Sequence, residues 1–303
     1  MKELKILAVV VSIVLITYYG IEPYAHHVMH PTPAKADFQF KDAGEVNTGL
    51  RGDKTSGKAL VEMHCIACHS IESAGFAPMM SDADAAAAYG VTPPDLSISG
   101  HIYERNFLAN FIANPVKAMH LEHKFPEGGD KFFPMPAYKD MASNQDIMDM
   151  VAYLQSIEKK EIEVVEGMTE WDKAKAEEKI VYEAACGRCH DMGYDNFTAN
   201  TPSDIARNYL GKTPPDLSQY IKSRGEHYLH SFINDPQILL HGTGMPRVGL
   251  TEHAQEQVIE YMEKVGDRHK DEREDLGWKV MLYMLVLSIL SILWKRKIWK
   301  DLH

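Results

Sequence analysis

Cysteine is scarce, with four in 303 residues. All four fall in two short stretches, Cys65-Ile-Ala-Cys-His69 and Cys186-Gly-Arg-Cys-His190, so no cysteine is left over for a disulfide framework. Neither Cys-x-x-Cys pair has a downstream Cys or His pair at the spacing a structural zinc ion needs. No segment alternates apolar and polar residues convincingly over the length of a strand, so an all-α fold is expected. Positive charge is outweighed: 32 Lys+Arg stand against 43 Asp+Glu, and the net charge of -11 gives no reason to expect a nucleic-acid partner. Long apolar runs occur only near the two ends.

Each cysteine stretch reads C-x-x-C-H, the attachment signature of a c-type haem. Two thiols add across the two vinyl groups of one haem, and the next residue must be an imidazole that reaches the iron. On a helical turn the two sulfurs share one face with the histidine beside them. The pattern therefore predicts two covalently bound haem c groups, one on Cys65 and Cys68, the other on Cys186 and Cys189. His69 and His190 are the expected iron ligands. No residue is read as catalytic. Haem c is normally attached outside the cytoplasm, so export is implied.

The first apolar run, from Leu4 to Ile21, follows Lys2 and is joined by Lys5. It reads as a signal peptide or an uncleaved anchor. The small-x-small triplet Ala34-Lys35-Ala36 lies far beyond the apolar stretch, which favours the anchor. The last run, Trp278 to Trp294, has tryptophan at both ends and is followed by Lys295, Arg296, Lys297 and Lys300. Aromatic ends and a basic flank predict a transmembrane helix whose C-terminus faces the cytoplasm. Lys2 and Lys5 place the N-terminus on the same side. The acidic chain between the two runs is then expected in the periplasm, anchored to an inner membrane. Its charge either steers a basic partner or serves solubility.

A repeat organises that central portion. Cys65, Cys68 and His69 recur at Cys186, Cys189 and His190, an offset of 121. Thr92-Pro-Pro-Asp-Leu-Ser97 recurs at the same offset as Thr213-Pro-Pro-Asp-Leu-Ser218. Met135-Pro136 matches Met245-Pro246 at 110, so the first copy carries an 11-residue insertion within LEHKFPEGGDKFF. Helices are expected over 54–66, 102–113 and from Ser143 to Ile157 in the first copy, the last opened by Ser143 and Asp146. Their counterparts are 173–186, 203–210, 225–234 and 251–265. The divisions that follow are 1–21 anchor or signal, 22–52 linker, 53–160 first haem domain, 161–267 second haem domain, and 268–303 juxtamembrane segment and span. His26, His27 and His30, in the Pro- and Gly-rich linker, read as solvated residues.

This layout resembles the class I cytochrome c fold in tandem, on the strength of the two C-x-x-C-H turns, the Pro-Pro loops and the Met-Pro pairs. The resemblance implies that a proline carbonyl of Pro93-Pro94 and of Pro214-Pro215 accepts the Nδ1–H of the histidine. It implies that Leu96 and Leu217 pack on the rings and that Met135 and Met245 supply the sixth iron ligands. Met119, His120, His123 and His241 compete for that place. Arg105 and Arg224 are candidates to pair with haem propionates, or are surface cations of their helices.

With its C-terminal anchor, the chain resembles the cytochrome c1-type subunit of a bacterial quinol:cytochrome c oxidoreductase (bc complex), in a two-haem form. That resemblance implies an electron-transfer subunit with no substrate chemistry of its own. It would take electrons from a Rieske iron-sulfur protein beside a cytochrome b subunit, and pass them to a downstream cytochrome c or terminal oxidase. By the same resemblance the complex is dimeric. A two-haem subunit of a cbb3-type oxidase, an independent cytochrome c4-like carrier and a two-haem peroxidase are the alternatives.

Overall fold

The computed structural model describes residues 2–29, 35–158 and 167–302. It is mostly helical, and among the described residues it forms no strand, only isolated bridges. Helix α1 (Lys2–Ile16) runs through a π-turn, Thr17–Ile21, into α2 (Glu22–Met29). The linker expected from residue 22 therefore begins as helix. The π-turn explains how: the Glu22 amide reaches back to the Thr17 carbonyl, widening the helix just ahead of Pro23, whose ring would otherwise press on the preceding turn. The side chains of His26 and His27, and all of His30, lie outside the described residues.

The first copy holds α3 (Lys54–His64), α4 (Asp82–Tyr89), α5 (Ser99–Ile102), α6 (Arg105–Ala113), α7 (Pro115–Ala118) and α8 (Asn144–Ser156). Asp53 starts α3 by accepting from the Thr55 and Ser56 amides at 2.7 and 3.0 Å. Ser143 and Asp146 form a reciprocal capping box at α8, as their spacing predicts. The second copy holds α9 (Glu170–Ala185), α10 (Ser203–Leu210), α11 (Tyr220–Arg224), α12 (Glu226–Asn234), α13 (Pro236–Leu239) and α14 (Glu252–Gly266). Another capping box, Thr169 with Asp172, starts α9 three residues before the expected helix. Pro115 and Pro236 do more than end the helix before them. Capped by Asn114 and Asp235, each occupies the first turn of a new short helix.

In the first copy α3 and α8 cross at Gly57, where an added Cβ would lie 1.9 Å from the Asp149 carbonyl oxygen. At the repeat position the second copy has Glu178. Its buried carboxylate instead pairs with Lys264 of α14. Burial raises the Glu178 pKa against the pull of that lysine.

The two copies are stitched through their backbones. Tyr103 and Leu250 form an antiparallel bridge. The Glu104 amide donates to the Gly249 carbonyl at 2.9 Å and the Thr251 amide to the Ile102 carbonyl at 2.8 Å. Ile102, first-copy by sequence, is buried in the second copy's core. The linker is a packed strap: Phe40 and Ala43 are buried, and Asp37 and Asn234 exchange two hydrogen bonds at 2.9 and 3.0 Å. Leu121 and Phe125, from the inserted stretch, pack in the same cluster with Tyr209 of the second copy beside them.

Helix α15 (Lys270–Leu302) extends past the expected span at both ends. Leu4–Ala25 and Lys270–Lys300 are helical, long and apolar enough to cross a membrane, and make no packed contact that would bury them.

Candidate haem-binding sites

Helix α3 ends at Cys65, and one turn closes on that residue: the Cys68 and His69 amides bond to its carbonyl at 3.1 and 2.9 Å. The second motif repeats this, with the Cys189 and His190 amides on the Cys186 carbonyl at 3.1 and 3.0 Å. All four cysteines are free thiols. Burial pushes Cys65 up to about 11 and Cys186 up to about 12, and raises Cys189, so these thiols stay protonated at neutral pH.

The Pro-Pro loops arrive over the histidines. His69 Nδ1 lies 2.9 Å from the Pro94 carbonyl, and His190 Nδ1 lies 2.8 Å from the Pro215 carbonyl. A carbonyl only accepts, so each Nδ1 carries the hydrogen and each Nε2 keeps its lone pair. Burial lowers both histidine pKa values, opposed by the proline bonds, and the Arg188 charge lowers His69 further. A neutral ring with one free lone pair is the form that binds a metal.

The loops are fixed by their own polar residues. Asp95 Oδ2 accepts from the Glu72 amide at 3.0 Å, and Ser97 Oγ accepts from the Ser73 amide at 3.1 Å. Asp216 and Ser218 do the same for the Gly193 and Tyr194 amides, at 2.9 and 3.0 Å. The repeated Thr-Pro-Pro-Asp-Leu-Ser string carried this signal: its polar members recur as faithfully as its prolines.

A cavity opens beside the first motif. Cys65, Cys68, His69, Pro94, Leu96 and Met135 line it, so the chain brings the thiols, the imidazole and the thioether to one space. Pro93 and Met119 line it too. His120 and His123 are turned to the second copy instead, bonding Asp235 and the Thr243 carbonyl. In the second copy Leu217 packs on the core, Pro214 and Met245 are half-buried, and His241 is exposed. The Met245 amide bonds the Thr243 hydroxyl at 3.3 Å.

Arg105 and Arg224 sit on the surface. Arg105 donates to the Leu50 carbonyl at 2.8 Å, and Arg224 lies over the Tyr228 ring. Two other arginines, both from the second copy, line the first cavity: Arg188, between Cys186 and Cys189, and Arg247. The Nε of each is buried without a hydrogen-bond partner.

These features fit a covalently held haem. Protonated thiols add to vinyl groups with no net change of charge and no oxidant. The imidazole lone pair and the methionine sulfur are suitable axial donors. Among the described residues, no three His, Cys, Asp or Glu side chains gather as a separate metal site.

Residues 55–158 match the family model for cytochrome c. The match gives that stretch as a cytochrome c domain and takes in the first C-x-x-C-H motif, its Pro-Pro loop and Met135, while the second motif lies outside it. A solved structure described as "Hyperthermophilic respiratory Complex III" is similar at 22% identity, covering 46% of this chain and 80% of that chain, with a TM-score of 0.35. No curated protein matches the chain.

Proposed function

We propose that the chain is a membrane-anchored relay with two covalent haem c groups, serving as the cytochrome c1-type subunit of a quinol:cytochrome c oxidoreductase. The repeated turn carries the reading: each C-x-x-C-H closes on its first cysteine, and each histidine Nδ1 meets a proline carbonyl, at 2.9 Å in one copy and 2.8 Å in the other. Cys65, Cys68 and His69 hold one haem, and Cys186, Cys189 and His190 hold the other. Met135 and Met245 are the sixth ligands. Haem held in this way supplies reversible one-electron chemistry at iron.

The chain's residues do the rest. The Pro94 and Pro215 carbonyls fix the histidine tautomers and make the rings better donors. Asp95, Ser97, Asp216 and Ser218 keep those prolines in place. Leu96, lining the first cavity, and Leu217 would pack against the haem and exclude water from it. Were His69 with Met135 and His190 with Met245 all to bind iron, no position would be left open for a substrate, and this favours a relay over a peroxidase.

Helices α1 and α15 tether the haem domains. Lys295, Arg296, Lys297 and Lys300 follow the second apolar run, and Lys2 and Lys5 lie at the first, so both ends face the cytoplasm and the haem domains face the periplasm. A span after the haem domains suits the c1-type subunit, whose expected neighbours are a cytochrome b subunit and a Rieske protein.

Purification in mild detergent through a C-terminal tag, with a reduced-minus-oxidised spectrum and a subunit inventory, tests the proposal. Co-purifying b haems and a Rieske protein are expected. Copper-haem oxidase subunits without a Rieske protein would assign the chain to an oxidase, and a lone c-type spectrum would make it an independent carrier.

A further inference from the structure

Arg247 is 3% exposed, yet its carboxylate partner Asp42, 3.0 Å from Nη1, has a side chain 56% exposed. The guanidinium stacks on Phe40 at 4.7 Å, and the same Nη1 lies 3.3 Å from His120 Nε2. Its Nε is buried with nothing to donate to. A bond from the Arg247 amide to the Met119 carbonyl, at 3.1 Å, fixes its backbone against the first copy. Arg188 repeats the anomaly one turn into the second haem motif: it lines the first cavity, and its Nε is buried and unpartnered. A buried guanidinium N–H with no acceptor is costly, so two such Nε donors at one cavity point to an anionic occupant.

We infer that the second copy completes the first copy's haem site. Arg247 and Arg188 receive the carboxylate groups of the haem held by Cys65 and Cys68, the role for which the sequence offered Arg105 and Arg224. This rests on the first motif binding haem as proposed above. Guanidinium is suited to the task, since it pairs with carboxylates through two parallel donors and stays charged. Two arginine cations lining that cavity would also favour the less positive, ferrous state of a haem held there. Arg247 and Arg188 are therefore positioning and tuning residues, and the first centre's potential depends on the second copy being docked.

The test is a spectroelectrochemical titration of the purified full chain and of its Arg247→Gln, Arg247→Lys and Arg188→Gln variants. Haem attachment is checked by mass, and the two centres are told apart by Met245→Leu, which moves only the second. Arg247→Gln and Arg188→Gln are each expected to shift the first centre's reduction equilibrium about tenfold towards ferric iron, or 59 mV for one electron. Arg247→Lys, which keeps the charge, is expected to retain most of the potential. Unchanged first-centre potentials in both Gln variants, with haem attached, would overturn the inference. So would an Arg247→Lys loss equal to that of Arg247→Gln, which marks a packing role. Should Arg247→Gln not fold, Arg188→Gln alone decides. Absence of haem on Cys65 and Cys68 in the unaltered chain would instead remove the parent reading, and this one with it.

Discussion

Gly57 and Asp149 meet backbone to backbone where α3 crosses α8, with room for no more than a hydrogen between them: a Cβ on Gly57 would lie 1.9 Å from the Asp149 carbonyl oxygen. Gly57→Ala is expected to force the helices apart and destabilise the first copy by about 3 kcal/mol. Chemical unfolding followed by the far-ultraviolet helix signal measures it. A loss under about 0.5 kcal/mol would mean the crossing yields easily.

Gly249 has φ +72°, and a Cβ there would lie 2.0 Å from the Phe107 ring. Its carbonyl is also one of the bonds between the copies. Gly249→Ala combines left-handed strain with overlap, together about 3 kcal/mol, all of it at the seam. Amide exchange at Glu104 and Thr251 is expected to quicken, while exchange within α8 stays slow. Equal quickening everywhere would show global rather than local loss.

Contact between the copies is expected to weaken as pH rises above neutrality. The bond to Asp235 raises the His120 pKa from 6.5; burial opposes it, Asp42 assists and Arg247 opposes. A group whose pKa is higher in the folded form stabilises fully below its unfolded value, near 6.5, and loses that contribution as pH climbs through the folded value. His120→Gln is expected to flatten the dependence. Protection factors at the seam amides between pH 6 and 9, with the intrinsic rise of exchange with pH divided out, report it, and a dependence that persists in His120→Gln would assign it elsewhere.

Met245→Leu is expected to leave the second haem covalently attached and to lower its potential, since the thioether favours ferrous iron. Redox titration with mass analysis checks both. An unchanged potential would remove Met245 from the ligand set.

The geometry of the two C-x-x-C-H turns was legible because their residues recur at a fixed spacing. Two cysteines, a histidine and a Pro-Pro string at one offset point to the turn and its covering loop without any coordinates. The Ser143 capping box was legible too, because it is local. Arg188 and Arg247 were not. Nothing around Arg247 in sequence suggests burial; it is buried by Phe40, Met119 and Asp42, each more than 100 positions away. Arg105 and Arg224 stand out in the sequence as helical cations, and the structure places both on the surface. The π-turn at Thr17 escaped for another reason, since Pro23 in a polar stretch usually marks the end of a helix.

Ile102 belongs to the first repeat in the order of letters and to the second in the order of packing. Duplication ordinarily leaves modules that can be shuffled, lost or lent to other proteins. Here the two copies share side chains across their seam. A gene cut between the repeats would yield one fragment lacking Ile102 from its core and another with Phe107 stripped of Gly249. Neither half would keep the packing it has in the whole chain.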